Sequence, residues 1–202
     1  MAARSTLRAC FSVTSAWERP PARLRRTYFD CRFGQLHVHQ AIPAGGGFDE
    51  AVALVCLPGA RGQGGFFRPL LQALGIDRSI YAPDLPGLGQ SDPPPPGTPL
   101  ARAAAEAVLD LLDSLRERRC CLLVHAEGLA AATLLTGLRP GFVQRVAAIG
   151  ADASSLSSAL PVGLPAAAFD LAPADAGSLP AAPDAARLAR LAAFLGTAQP
   201  LT

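Results

Sequence analysis

The sequence contains no lysine, and all 18 of its basic residues are arginine. Its formal net charge is only +2, and beyond the first segment the arginines are dispersed along the chain. A nucleic-acid-binding protein needs a basic stripe or patch on one face, so we expect no nucleic-acid partner. The absence of lysine also excludes a GxxxxGK[ST] phosphate loop, although a glycine-rich stretch, residues 59–65, precedes a predicted helix.

Long apolar runs are missing as well. The longest, residues 51–57 and 120–124, are too short to cross a bilayer, so we expect no membrane partner. The five cysteines include no CxxC pair, which favours reduced thiols in a cytoplasmic protein. No cofactor motif and no set of metal ligands is visible, so we expect neither a cofactor nor a metal.

Composition divides the 202 residues into three parts. Residues 1–26 carry six arginines and one acid, the pattern of a transit peptide or of a disordered arm, and we expect the arm. Residues 27–150 alternate apolar runs with turn signals and form the predicted core. Residues 151–202 are rich in alanine and proline and are expected to be a cap-like or tail segment.

The core shows the pattern of an α/β protein. Short apolar runs separated by amphipathic segments predict a mostly parallel sheet of about six strands, flanked by helices on both faces. The expected strands are 27–31, 35–41, 51–57, 79–82, 120–125 and 144–150, and the expected helices are 66–74, 100–118, 129–138 and 184–196.

Three motifs follow predicted strands in a fixed order. They are VCLPG at 55–59, DLPGLGQSD at 84–92 and LVHAEGL at 123–129. Together they resemble the α/β-hydrolase superfamily, over roughly residues 27–150. The resemblance implies an α/β-hydrolase fold whose ligands bind at the carboxyl ends of the strands.

The superfamily places its nucleophile in a sharp G-x-S-x-G turn. The corresponding window here is Val124, His125, Ala126, Glu127 and Gly128. Ala126 occupies the nucleophile position, and a methyl group cannot attack a carbonyl carbon. Val124 replaces the first glycine, which puts the tight turn in doubt.

The rest of the implied machinery is also incomplete. The resemblance assigns the oxyanion-hole amides to Glu127 and to the Gly59–Ala60 loop after Pro58, but the Glu127 carboxylate would oppose negative charge there. The superfamily's acid and late histidine are not found, since no histidine follows His125. We therefore expect a carboxyl-terminally truncated fold that lacks its closing strands.

Other polar residues lie at predicted strand ends or in the turn that follows the fourth strand. These pocket and turn candidates are Asp84, Gly87, Ser91, Asp92 and Asp152. We expect Ser91 to bond within its own loop. His125 and Glu127 could exchange protons, but residues that flank a sharp turn generally point apart. His37 and His39 share one strand face, and no third metal ligand is evident.

These observations favour a catalytically deficient α/β-hydrolase homologue that keeps a small-molecule pocket. Two alternatives remain: an active hydrolase or lyase with non-standard catalytic residues, and a non-functional truncated fragment. An exposed sheet edge would in addition favour self-association.

Overall fold

The computed structural model describes residues 20–46, 51–59, 62–171 and 184–196. Its strands are β1 (Arg23–Cys31), β2 (Gly34–Ile42), β3 (Ala53–Leu57), β4 (Ile80–Pro83), β5 (Cys120–His125), β6 (Val143–Ile149) and β7 (Ala166–Phe169). Its α-helices are α1 (Arg68–Leu74), α2 (Leu100–Ser114), α3 (Leu129–Leu138), α4 (Ala153–Ala159) and α5 (Ala185–Leu195).

The strands of the described residues form one sheet in the order β1-β2-β4-β3-β5-β6-β7. β1 and β2 form an antiparallel hairpin, β2 pairs antiparallel with β4, and the pairs from β4 to β7 are parallel. The predicted α/β fold class, a mostly parallel sheet flanked by helices, is confirmed.

Alternation along the parallel strands divides the core into two layers. On one face, Val55, Leu122 and Val146 pack with α2 and α3. On the other face, Leu54, Leu123 and Ala147 pack with α1 and α5. Because β3 and β5 are covered on both faces, their runs are apolar throughout, as is usual for central parallel strands.

The sheet continues beyond residue 150. We predicted no strand there, and that prediction is wrong, because Ala166–Phe169 pairs in parallel with Val146–Ile149. The expected helix 184–196 is present as α5, with Leu191 and Leu195 buried. Arg78 fixes its end, since this buried guanidinium donates to the carbonyl oxygens of Leu195 and Gly196.

Two boundaries also differ from prediction. β1 begins at Arg23, four residues inside the expected arm, while residues 1–19 lie outside the described part of the chain. α2 ends at Ser114 rather than near Arg118, because Arg116 adopts a positive φ of 58° that the α-helix cannot continue. Among the helices of the described residues, none is both long and apolar enough to cross a membrane.

Candidate functional site

The turn after β5 holds the residue that aligns with the superfamily's nucleophile. Ala126 opens a short 3-10 turn, Ala126–Gly128, which leads directly into α3. Among the described residues, Arg116 is the one non-glycine residue with positive φ, so Ala126 has an ordinary backbone. The strained elbow that lifts a nucleophile above the sheet is therefore not formed at this position.

The two residues beside Ala126 face one another, which corrects our expectation that they point apart. The His125 Nδ1 lies 3.8 Å from Glu127 Oε2. The 3-10 turn curls the backbone so that the Glu127 N–H also donates to His125 Nδ1, over 3.4 Å. The His125 side chain is 23% exposed, whereas the Glu127 side chain is 57% exposed.

Both side chains lie over Gly59, the first residue of the expected oxyanion loop. A Cβ at Gly59 would overlap Glu127 Oε2 and would come within 2.5 Å of His125 Nδ1. The space beside the Gly59 backbone is thus filled by an imidazole and a carboxylate. A carboxylate at this place opposes the development of negative charge on a substrate oxygen.

The amides predicted to form the oxyanion hole lie in different environments. The Glu127 amide is already engaged by the His125 ring. Gly59 lies directly beside the two side chains, and Ala60 is outside the described residues. Pro58 is buried, and its carbonyl oxygen would lie 2.8 Å from a Cβ at Gly128, so the turn requires glycine at that position.

The remaining neighbours of the turn are apolar or small. The Phe66 ring meets the His125 ring edge to face, with centroids 5.5 Å apart. Gly150, at the end of β6, lies close enough that a Cβ there would be 3.9 Å from the Ala126 Cβ and 4.0 Å from His125 Nε2. The ends of β5 and β6 and the residues that follow β3 therefore converge on Ala126, as the strand-end rule predicts.

Asp84 and Ser91 hold the turn after β4 rather than facing Ala126. The buried Asp84 carboxylate accepts hydrogen bonds from the amides of Gly64 (2.7 Å) and Gln90 (3.0 Å) and lies 2.9 Å from His37 Nδ1. The Ser91 hydroxyl donates to the Asp84 carbonyl oxygen over 2.8 Å, which keeps it within its own loop.

Of the other two turn residues, Gly87 closes the loop on itself and Asp92 joins it to the β1–β2 hairpin. Gly87 has a φ of 78°, and its amide donates to the Asp92 carbonyl oxygen over 2.9 Å. The Asp92 side chain accepts from the Gln35 amide over 2.8 Å. All these contacts position the backbone, and among them there is no group aimed at a reacting atom.

Two acids follow the last strands of the sheet. Asp152 caps α4, and hydrogen bonds from the Ser155 amide and the Ser154 hydroxyl lower the pKa of its carboxyl group to about 2. Asp170 comes directly after β7, where the superfamily can place its acid, and we missed it because β7 was not predicted. It is exposed and lies 3.4 Å from Arg187.

The pairing of His37 with Asp84 was also missed. We found no third ligand beside His37 and His39, yet Asp84 lies within 4.0 Å of both rings. The signal in the sequence was the placement of Asp84 directly after β4, but the pairing of β2 with β4 is needed to bring the groups together. Burial lowers the pKa of the His39 ring, and the neighbouring Asp84 carboxylate offsets only part of that decrease.

Comparison with known structures identifies the same fold. Naproxen esterase from Bacillus subtilis superposes with a TM-score of 0.55 at 24% identity, over 64% of this chain and 44% of that chain. An epoxide hydrolase from Vigna radiata superposes with a TM-score of 0.54 at 20% identity, over 63% of this chain and 38% of that chain. The chain thus spans less than half the length of either enzyme.

Sequence comparison gives the family directly. No curated protein matches the chain. The family model described as the alpha/beta hydrolase family matches residues 54–201, which is well over half of the sequence. With the strand order and the turn after β5, this match shows that the chain belongs to the α/β-hydrolase family.

Proposed function

We propose that this α/β-hydrolase homologue is catalytically deficient in ester and amide hydrolysis and binds a small molecule at the carboxyl ends of β3, β5 and β6. The observation that carries the proposal is Ala126, an unreactive side chain on relaxed backbone at the nucleophile position. Nucleophilic catalysis needs a hydroxyl, thiol or carboxylate with an activating base, and Ala126 supplies none of these.

The surroundings of Ala126 support the same conclusion from electrostatics. Loss of a single oxyanion donor reduces turnover by roughly 100- to 1,000-fold in hydrolases. Here one candidate donor, the Glu127 amide, faces the His125 ring, and the Glu127 carboxylate covers Gly59. Two separate features therefore oppose acyl transfer at this site.

A ligand site is supported by the groups that converge there. Phe66 offers an aromatic ring, Gly150 places no side chain beside Ala126, and the His125 ring combines an apolar face with a hydrogen-bonding edge. Sites for small molecules commonly join apolar walls to a few polar groups in this way. The chemistry fits a small, mostly apolar ligand with one hydrogen-bonding group.

One observation favours an alternative in which His125 and Glu127 carry out relocated acid–base chemistry. Their side chains lie 3.8 Å apart at the strand end, within reach of proton exchange through modest rotation. The alternative predicts turnover that depends on the Glu127 carboxylate and not on residue 126.

Intact-mass spectrometry of the purified chain with an excess of a p-nitrophenyl short-chain ester tests the absence of a covalent nucleophile. We expect the wild type and Ala126→Gly to stay unmodified, with Ala126→Gly as the matched control for residue 126. A stoichiometric acyl adduct mapped to the turn after β5 would overturn the proposal. Saturation-transfer NMR with the same ester tests reversible binding, which should weaken in Phe66→Ala, and its absence in the wild type would reject the ligand site.

A further inference from the structure

A second group of polar side chains lies at the junction of β2 and β4, separate from the turn after β5. Alternation along β2 puts His37 and His39 on one face of the strand. The antiparallel register pairs Val38 with Pro83, and the Asp84 amide donates to the His37 carbonyl oxygen over 2.9 Å. The first residue after β4 therefore lies beside both imidazoles.

The three side chains approach within the range of a metal-binding cluster. His37 Nδ1 lies 2.9 Å from Asp84 Oδ2, and His39 Nε2 lies 4.0 Å from Asp84 Oδ1. One nitrogen from each ring and one carboxylate oxygen all lie within 4.8 Å of one another. His37 and Asp84 are almost fully buried, and the His39 side chain is 18% exposed, so one side of the cluster stays open to water.

We propose that His37, His39 and Asp84 bind a divalent transition-metal ion of the zinc class. Two imidazole nitrogens and one carboxylate oxygen are ligands that zinc accepts, with water completing the set. Metal–ligand distances of about 2.0–2.1 Å place tetrahedral ligands about 3.3 Å apart. The observed separations bracket that value, so small side-chain rotations suffice.

The carboxylate is already oriented for this task. The Gly64 amide donates to Asp84 Oδ1 and the Gln90 amide donates to Asp84 Oδ2, which fixes the orientation of the carboxylate. Metal sites commonly use such outer hydrogen bonds to fix their ligands. The ring planes of His37 and His39 stand nearly perpendicular, with centroids 4.9 Å apart and an interplanar angle of 77°, so their edges can converge on one point.

Two effects oppose metal binding, namely protonation of the histidine rings and the positive charge of nearby arginines. A metal needs one unprotonated ring nitrogen from each histidine, so zinc competes with protons and binding should weaken in acid. Arg26 and Arg68 add positive charge near His39, but both residues are exposed, and salt screens exposed charges. This repulsion should therefore cost little affinity at physiological ionic strength.

Equilibrium dialysis of the full chain against zinc chloride, in the presence of a thiol reductant, measures stoichiometry and affinity. X-ray absorption at the zinc edge then identifies the ligands. We expect one zinc per chain in a nitrogen and oxygen shell at about 2.0–2.1 Å, with no sulfur shell at about 2.3 Å. His39→Leu should weaken binding by at least about tenfold.

His125→Ala is the matched control, because it removes the remaining histidine of the chain and should leave zinc affinity unchanged. Thermal unfolding of His39→Leu checks that this variant keeps its fold. A sulfur shell, the absence of stoichiometric zinc, or equal zinc affinity in wild type and folded His39→Leu would each overturn the proposal. None of these results depends on ester turnover, so the metal site and the catalytic deficiency fail or succeed separately.

Discussion

Removal of the Asp84 carboxylate should destabilise the fold strongly. Asp84 is buried and accepts hydrogen bonds from the amides of Gly64 and Gln90 and from the His37 ring. A hydrogen bond to a charged group contributes roughly 1.5–3 kcal/mol, and a buried donor left without a partner costs roughly 1–3 kcal/mol. Because Gly64 is itself buried and these terms are not additive, we expect Asp84→Ala to lose about 3–5 kcal/mol.

Urea unfolding followed by circular dichroism measures this loss as a change in the free energy of unfolding. At about 2–4 °C per kcal/mol for a chain of this size, the melting temperature should fall by roughly 10 °C. Asp30→Ala is the matched control: Asp30 is exposed and makes one 3.5 Å contact with Gln35, so we expect a change within about 0.5 kcal/mol. If Asp84→Ala cost less than about 1 kcal/mol, the view of Asp84 as the centre of this loop would be refuted.

Three further perturbations test neighbouring parts of the structure. Gly64→Ala should lower the free energy of unfolding in urea by more than about 3 kcal/mol, because a Cβ there overlaps a backbone carbonyl of β4. Gly65→Ala is the control, since a Cβ there meets only ordinary contacts and should be tolerated. Equal losses in the two variants would contradict the close packing of Gly64 against β4. Arg32→Gln should cost about 1 kcal/mol at neutral pH, since the Arg32 guanidinium donates two hydrogen bonds to Asp110 that lower the pKa of that carboxyl group. That contribution is present above about pH 4 and is lost as pH falls through the lowered pKa, so the difference should shrink in acid, and a constant difference would refute the assignment. The outer edge of β7 pairs with no strand among the described residues, so we expect concentration-dependent self-association in analytical ultracentrifugation, reduced by Ala168→Lys; equal behaviour of both proteins would count against this edge.

Central parts of the fold could be predicted because local pattern and burial agree. β5 and α3 occupy the predicted residues 120–125 and 129–138. Each is a short apolar run bounded by charged residues, glycine or proline, so its ends are marked in the sequence. The order of strands and helices then leaves few topologies for a parallel sheet.

β7 could not be predicted, because three of its four residues are alanine. Alanine is depleted in strands, and the segment becomes a strand only through pairing with β6. The local sequence therefore held no periodic signal, and Asp170 was lost with the strand.

The side-chain contacts of the two polar clusters depend on tertiary structure. His37 meets Asp84 because of the register between β2 and β4, which is set by packing across the whole sheet. His125 meets Glu127 because the backbone at Ala126 is relaxed rather than strained. The sequence motif identified Ala126 as the residue at the nucleophile position. It could not predict the backbone conformation there, because the sequence of this turn departs from the motif.

Steady-state turnover of an activated short-chain ester, measured between about pH 6 and 9, tests the catalytic deficiency most directly. The wild type and Ala126→Gly should both show no rate above the buffer reaction, since Ala126 cannot attack and the Glu127 carboxylate lies against Gly59 of the expected oxyanion loop. Saturable turnover by the wild type that survives Ala126→Gly and disappears in Glu127→Gln would contradict the account and assign relocated chemistry to this site.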